Sequence, residues 1–273
     1  MHWILQANLF KEPEWETLLA ALERFGLPHS IHTVVPFVGE LLPAPVLDTA
    51  KVICLGSYSM RHSARHFGWT PGIYDLFEQN FLVQKDAWGE RMLNFDSQVI
   101  AFRDARLSEA AFVRPIDDSK YFAGGVFGPA EFAAWQHRVC DLNLDYGTSL
   151  TPETLIQVCR PKLIQAEYRF WIVGGQIVTR SLYKRGARVA YSSEVDERLD
   201  RFVGEAIADW QPHRAFVIDV CDTPDGPRIV EINTLNSAGF YAADVQRLIG
   251  ALEDLESDSH DVAAATAPLP GRR

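Results

Sequence analysis

Two apolar segments near the carboxyl end of the chain each carry an acidic residue between branched aliphatic ones. The first segment, RAFVIDV, contains Asp219, and the second, PRIVEIN, contains Glu231 and Asn233. The turn-rich segment CDTPDG joins them, which predicts a β-hairpin. A carboxylate flanked by Ile and Val costs stability unless a partner compensates its charge. The chain must therefore fold so that something neutralises these acids.

A hairpin symmetric about Asp225 would place Asp219 opposite Glu231. Asn233 would lie on the same face, since successive side chains of a strand alternate between two faces. Two carboxylates paired across strands repel each other, and a shared proton or a bound cation would remove the repulsion. Hard oxygen ligands favour Mg²⁺ or Mn²⁺ over zinc. The alternative is a register shifted by one residue, which would point the acids into water.

Strand-like and helical segments alternate along the chain, which predicts an α/β (α+β) fold. The strands HWILQANLF, IHTVVPFV and KVICLG, with helical segments between them, predict a small N-terminal domain with a mostly parallel sheet over residues 1–72. Residues 73–257 form the second predicted domain. The polar, small and Pro-containing ending predicts a disordered tail over residues 258–273.

Composition narrows the class of protein. Hydrophobic residues make up 47% of the 273-residue chain, which suffices for a substantial core. A net charge of -10 argues against general nucleic-acid binding. The chain has no CxxC pair, and three of its four cysteines lie in apolar runs, which is typical of buried thiols in a cytoplasmic protein. No signal peptide or membrane span is expected.

The order of these features resembles that of a known family. A strand with an acid, a turn, a strand ending Glu-x-Asn, a Ser/Gly loop and a helix resembles the C-terminal part of ATP-grasp ligases, over about residues 95–255. The resemblance implies that Asp219, Glu231 and Asn233 hold the magnesium ions that bridge the ATP phosphates, with Mn²⁺ as the other candidate ion. It also implies an ATP-grasp fold, in which two α/β lobes hold ATP between them, preceded by a small N-terminal α/β domain.

The same resemblance implies phosphate-binding residues. Many ATP-grasp proteins have a strand ending Lys-Pro, followed by a mobile Gly-rich loop over the triphosphate. Here Arg114 precedes a proline, and Lys120, Gly124 and Gly125 follow in the loop. Arg in place of Lys resembles an ATP-grasp clade with an altered, arginine-rich set of basic residues. Arg offers phosphate a planar fork of donors. The alternative is a surface arginine beside an ordinary loop.

The segment LIQVCRPKLIQAEYRF corresponds to the family's adenine and ribose site. The chain crossing between the lobes binds adenine through its backbone in that family, and Val158, Cys159 and Arg160 occupy this place. A carboxylate a few residues later commonly binds the ribose hydroxyls. Glu167 is the residue that the resemblance assigns to this role.

Two arginines are candidates for the catalytic role. A hairpin centred between Gly174 and Gly175 would pair Arg169 with Arg180 across the strands. Two facing guanidinium groups repel unless an anion lies between them, and a polyphosphate, an acyl phosphate or a substrate carboxylate would fit. They would hold the acceptor carboxylate or stabilise the oxyanion. The alternative is that each arginine pairs with a surface acid.

The resemblance implies an ATP-dependent carboxylate–amine ligase of the EC 6.3 type, which forms an amide or peptide bond through an acyl phosphate. Its partners would be small-molecule or peptide carboxylates and amines, with neither nucleic acid nor membrane. The sequence leaves the oligomeric state open, a homodimer included. Two alternatives are an ATP-dependent phosphotransferase on the same fold and a non-catalytic nucleotide-binding module. The complete Asp/Glu/Asn set favours an enzyme.

Overall fold

The computed structural model describes residues 1–7, 14–75, 79–117, 122–142 and 149–265. The chain divides into two compact units. The first unit consists of Met1–Phe77, Ala166–Val220 and Glu231–Arg273, and the second unit of Glu78–Gln165 and Cys221–Val230. The predicted boundary at residue 72 stays a prediction. The first unit nevertheless joins the N-terminal segment with sequence from the last third of the chain.

The first unit contains a five-stranded N-terminal sheet in the order β3-β2-β1-β4-β5. Its pairs are parallel except β2 with β3, as the alternating strands and helices predict. Its strands are β1 (His2–Gln6), β2 (His29–Val34), β3 (Leu41–Leu42), β4 (Lys51–Leu55) and β5 (Thr70–Gly72). Helices α1 (Trp15–Arg24) and α2 (Arg61–Phe67) lie between these strands in sequence.

A second five-stranded sheet has the order β12-β11-β10-β13-β14. Its strands are β10 (Ala166–Val173), β11 (Gln176–Arg185), β12 (Arg188–Ser192), β13 (Ala215–Thr223) and β14 (Gly226–Asn233). Helix α5 (Glu197–Asp209) precedes β13, and α6 (Val245–Ala265) follows β14. Gly174 and Gly175 form the predicted turn between β10 and β11, with φ angles of 57° and 74° that a side chain would strain.

One hydrophobic core serves both sheets of the first unit. Trp3 of β1, Trp171 of β10 and Val217 of β13 are each 0% exposed and belong to the same cluster, together with Leu22 of α1 and Leu252 of α6. The N-terminal α/β segment is therefore packed into the same core as the strands that carry the predicted site.

The second unit contains a four-stranded antiparallel sheet in the order β6-β9-β7-β8. Its strands are β6 (Gln98–Ala101), β7 (Ala111–Pro115), β8 (Gly125–Phe127) and β9 (Leu155–Cys159). Helix α3 (Phe81–Trp88) precedes the sheet, and α4 (Pro129–Cys140) packs its Phe132 and Trp135 onto Val113 and Ile156. Pro129 begins α4, as predicted, because a first-turn residue needs no backbone N–H bond.

The carboxyl end of the chain differs from its prediction. Helix α6 continues to Ala265, so the predicted disordered tail over 258–273 is helical in its first part. The run of alanines near the end of the helix accounts for this, since Ala is the best helix former. Residues 266–273 lie outside the described residues. In the part of the chain that the structure describes, no helix is both long enough and apolar enough to cross a membrane.

Candidate functional site

Three polar side chains of the last hairpin meet on one side of the second sheet. Asp219 lies on β13, and Glu231 and Asn233 lie on β14. Nδ2 of Asn233 donates hydrogen bonds to Oδ2 of Asp219 at 3.3 Å and to Oε1 of Glu231 at 3.2 Å. Asp219 is 1% exposed, whereas Glu231 and Asn233 are half-buried. The three predicted ligand side chains are thus brought together; the direct pairing of Asp219 with Glu231 stays a prediction.

Arg169 on β10 neutralises the buried acid. Its Nε donates to Oδ1 of Asp219 and its Nη2 to Oδ2, both at 2.8 Å. Burial raises the pKa of the Asp219 carboxyl, and the charge of Arg169 opposes that rise. Burial by itself would lower the pKa of Arg169, but the charge of Asp219 outweighs it and raises this pKa. Two planar groups joined by two parallel bonds form a strong, geometrically fixed ion pair.

The predicted facing of Arg169 and Arg180 is wrong. Arg169 pairs with Ser181 across the strands, and Arg180 pairs with Phe170. The predicted register holds next to the turn, but an irregularity between Trp171 and Ile172 shifts it by one residue. A shift of one residue moves a side chain to the other face of the sheet.

Arg180 therefore belongs to the opposite face from Arg169, and its partner there is an acid of helix α5. Its Nε lies 2.8 Å from Oδ1 of Asp200, with 29% of each side chain exposed. The alternative interpretation, in which each arginine pairs with an acid of the protein, is the correct one for both arginines.

Glu167, the predicted ribose ligand, lies at the start of β10. Its Oε2 accepts a hydrogen bond from the Tyr183 hydroxyl at 3.0 Å, and its Oε1 lies 2.5 Å from Nζ of Lys184. Burial, followed by the charges of nearby Asp219 and Glu167, raises the pKa of Tyr183. The hydroxyl therefore stays protonated and keeps donating to Glu167. The carboxylate is held in place and is mostly buried.

A row of tyrosines flanks the ion pair, and sequence analysis missed two of its members. The guanidinium carbon of Arg169 lies 5.0 Å from the ring centroid of Tyr241 and 5.6 Å from that of Tyr183. The Tyr241 ring stacks on Tyr183 at 5.0 Å and on Tyr191 at 5.2 Å. Tyr241 has a φ of 57°, which is uncommon for a residue other than glycine. The signal available in the sequence was the aromatic pair FY directly after the Ser/Gly loop.

The basic residues of the second unit occupy different surroundings. Arg114 is half-buried on β7, directly opposite Gln157 of β9. A Cβ atom on Gly124 would come within 3.2 Å of the Arg114 side chain, so glycine is required for this close approach. Gly125 begins β8 and pairs with Val113. Lys120, the other predicted phosphate ligand, lies outside the described residues.

The predicted adenine contacts fall on β9 and the residue after it. Val158 is paired with neighbours on both sides, in β6 and in β7, so strand neighbours flank its backbone. Cys159 ends the strand, and its thiol lies 3.4 Å from Oδ1 of Asn94. Arg160 is the first residue beyond the sheet. Its backbone, of the three, is the least constrained by the sheet.

The donor atoms of the first unit are compatible with a hard cation. The described residues contain no group of three His, Cys, Asp or Glu side chains that could hold a metal ion. Asn233 supplies the third side chain beside Asp219 and Glu231, and a rotated amide would turn its oxygen towards them. Oxygen donors of this kind suit Mg²⁺. The residues therefore fit the ion, with the condition that Arg169 already binds both oxygens of Asp219.

Comparisons with known proteins identify the same fold. A family model described as an ATP-grasp domain, family 3 of its clade, matches residues 53–252. A D-alanine–D-alanine ligase from Bacillus anthracis, solved with ATP, has a TM-score of 0.58 at 14% identity, covering 98% of this chain and 100% of that one. A RimK domain ATP-grasp protein from Sphaerobacter thermophilus has a TM-score of 0.54 at 14% identity, with 87% and 92% covered.

A third solved structure is a macrocyclase, MdnC from Microcystis aeruginosa, bound with its precursor peptide MdnA. It has a TM-score of 0.54 at 11% identity, covering 94% of this chain and 100% of that one. At such identities the likeness shows the fold alone, and it confirms the expected ATP-grasp architecture. A search of the curated proteins found no match.

Proposed function

Because the chain belongs to the ATP-grasp family, we propose that it is an ATP-dependent carboxylate–amine ligase. The observation that carries the proposal is the convergence of Asp219, Glu231 and Asn233 around a buried arginine. Each of these side chains lies in an otherwise apolar strand, where it costs stability that an unused site would not need to bear. The substrates are a carboxylate and an amine, each a small molecule or a peptide.

The proposed reaction has two steps. The carboxylate attacks the γ-phosphate of ATP to give an acyl phosphate and ADP, and the amine then displaces phosphate to form the amide bond. Asp219, Glu231 and Asn233 would hold Mg²⁺, or Mn²⁺ in its place. When bound, the ion neutralises the charge that develops on the transferring phosphoryl group.

Arg169 is the proposed catalytic residue. Among the described residues it uses three of its five N–H groups, two on Asp219 and one on the carbonyl oxygen of Gly239 at 3.5 Å. The remaining N–H groups lie on Nη1 and Nη2, and they can donate to the acyl carboxylate or to the tetrahedral oxyanion. Arg180 has no part in this proposal, because Asp200 holds it on the other face.

The other proposed nucleotide contacts come from residues that the ion pair does not involve. Glu167 would accept hydrogen bonds from the ribose hydroxyls, which requires it to share or release Tyr183 and Lys184. In the second unit, Arg114 and Lys120 would bind phosphate oxygens.

Two further sets of residues complete the nucleotide site of the proposal. The loop glycines Gly124 and Gly125 would allow the backbone to approach the phosphates. The chain at Val158, Cys159 and Arg160 would bind adenine through its backbone.

The experiment that tests the proposal is a phosphate-release assay with MgATP and pairs of amino acids or short peptides. Ligase activity predicts ADP and phosphate in equal amounts, and hydroxylamine in place of the amine should trap the acyl phosphate as a hydroxamate. Glu231→Gln is the control and should abolish release. A phosphorylated product without phosphate release would instead identify a phosphotransferase, and nucleotide binding without turnover would identify a binding module.

A further inference from the structure

We infer that Arg169 takes the place of one of the metal ions, so that the site binds a single divalent cation together with ATP. The family pattern of two acids and an Asn implies more than one magnesium ion, and two-metal sites are common where phosphoryl groups are transferred. The inference rests on the proposed function. It concerns what the buried arginine does to the site and not which substrates the enzyme joins.

The first step is the number of lone pairs that Asp219 has left. A carboxylate offers about four lone-pair sites. Arg169 Nε occupies one on Oδ1, Arg169 Nη2 one on Oδ2, and Asn233 Nδ2 a second on Oδ2. If the amide of Asn233 rotates to present its oxygen to a cation, Asp219 regains a site on Oδ2 alone. That oxygen, Glu231 and Asn233 then form one set of ligands.

The second step is that Arg169 is firmly held. The residue is 8% exposed, and its partner Asp219 is 1% exposed. Beyond the two bonds to Asp219, it donates to the carbonyl oxygen of Gly239 and packs against the rings of Tyr183 and Tyr241. Removing one member of a buried ion pair leaves an uncompensated charge in a low-dielectric environment. A cation would therefore join the pair more readily than it would displace the guanidinium.

The third step is charge. Asp219 and Glu231 carry two negative charges, and Arg169 returns one positive charge, so the cluster has a net charge of -1. Nearby Glu167 and Lys184 cancel each other through their contact. One divalent ion brings the cluster to +1, which suits a polyphosphate. Two ions would bring it to +3 in a mostly buried site, where like charges repel strongly.

The experiment counts Mn²⁺ ions in the nucleotide complex. The whole chain is mixed with a smaller amount of a non-hydrolysable ATP analogue, Mn²⁺ is added stepwise, and electron paramagnetic resonance measures the unbound ion. The analogue without protein serves as the blank. The expected result is one Mn²⁺ per bound nucleotide for the wild type.

Two variants sharpen the count. Arg169→Gln removes the positive charge and should raise the number of bound Mn²⁺ ions from one to two. Arg169→Lys keeps the charge and should leave the number at one. Two ions in the wild type, or one ion in Arg169→Gln, would overturn the inference while leaving the proposed function intact. If the wild type binds no nucleotide, the proposed function fails and the inference with it. Should Arg169→Gln not fold, the wild-type count decides.

Discussion

The two units hold their predicted arginines in opposite ways. Arg169 of the first unit is 8% exposed and bound at two points by Asp219. The Arg160 side chain of the second unit is 83% exposed and lies 3.3 Å from Glu109, which is itself 65% exposed. In the first unit the fold sets the position of the charge before any ligand arrives. In the second unit the charge gains little from the protein, so a ligand must supply whatever order it has.

The largest effect should come from breaking the buried pair. Asp219→Asn leaves the charge of Arg169 buried without a counter-charge, and we expect a loss of about 3 to 5 kcal/mol in the free energy of unfolding. Glu231→Gln should cost about 1 kcal/mol or less, because a half-buried amide can still accept a hydrogen bond from Asn233. Urea denaturation followed by circular dichroism measures both.

The contrast between these two variants is the informative quantity. Both remove one negative charge from the same cluster by an isosteric change, so a difference in stability reports the buried pair and not the loss of charge. Equal losses would mean that Arg169 finds another partner, and that the cluster is not preset by the fold.

The second effect separates the two arginines of the β10–β11 hairpin. Arg169→Met should lower the rate of phosphate release about 10²-fold or more, the scale seen when a donor to a transition-state oxyanion is removed. Arg180→Met should leave the rate within about threefold, because Arg180 touches Asp200 on the other face. A fall of similar size in both variants would contradict the observed register.

This hairpin also shows where prediction from sequence stops. Gly174 and Gly175 correctly predict the turn, because a tight hairpin needs positive φ at both positions. The predicted register is correct for Ile172 with Ile177 and fails beyond the irregularity next to Trp171. An irregularity of this kind depends on packing across the sheet, which no local pattern in the sequence reveals.

The acidic face was easier to predict than its partner. Asp219, Glu231 and Asn233 stand out because polar residues in apolar strands call for a reason. That Arg169 neutralises Asp219 could not be read from the sequence, since it depends on β10 lying beside β13, two strands far apart in the chain. In the second unit the predicted residues carry weaker signals, because an exposed arginine or a glycine in a loop is common in any fold.

A third, smaller effect tests polar atoms within each sheet. Gln157 of β9 is 4% exposed, and within the described part of the chain its Oε1 has no hydrogen-bond partner. Gln157→Leu should therefore raise the free energy of unfolding by about 1 kcal/mol, because a buried unpaired acceptor is costly. Urea denaturation measures the change.

Thr179 of β11 is the matched control in the first unit. It is equally buried at 4% exposed, but its Oγ1 accepts a hydrogen bond from the backbone N–H of Asp244 at 2.8 Å. Thr179→Val should lower the free energy of unfolding by about 1 kcal/mol, opposite in sign to Gln157→Leu. Changes of the same sign would show that satisfaction of polar atoms does not distinguish the two sheets.

The smallest effect concerns Arg160, whose proposed contact with ATP uses the backbone. Arg160→Ala should change the free energy of unfolding by less than about 0.5 kcal/mol, because an ion pair between two exposed side chains contributes little. The affinity for a fluorescent ATP analogue should stay within about twofold, since alanine keeps the backbone groups. Arg114→Ala is the matched control and should weaken binding about 10-fold, because a charged hydrogen bond to phosphate is lost. Equal weakening in both variants would assign Arg160 a side-chain contact with the nucleotide, and would make the exposed arginine of the second unit a binding residue in its own right.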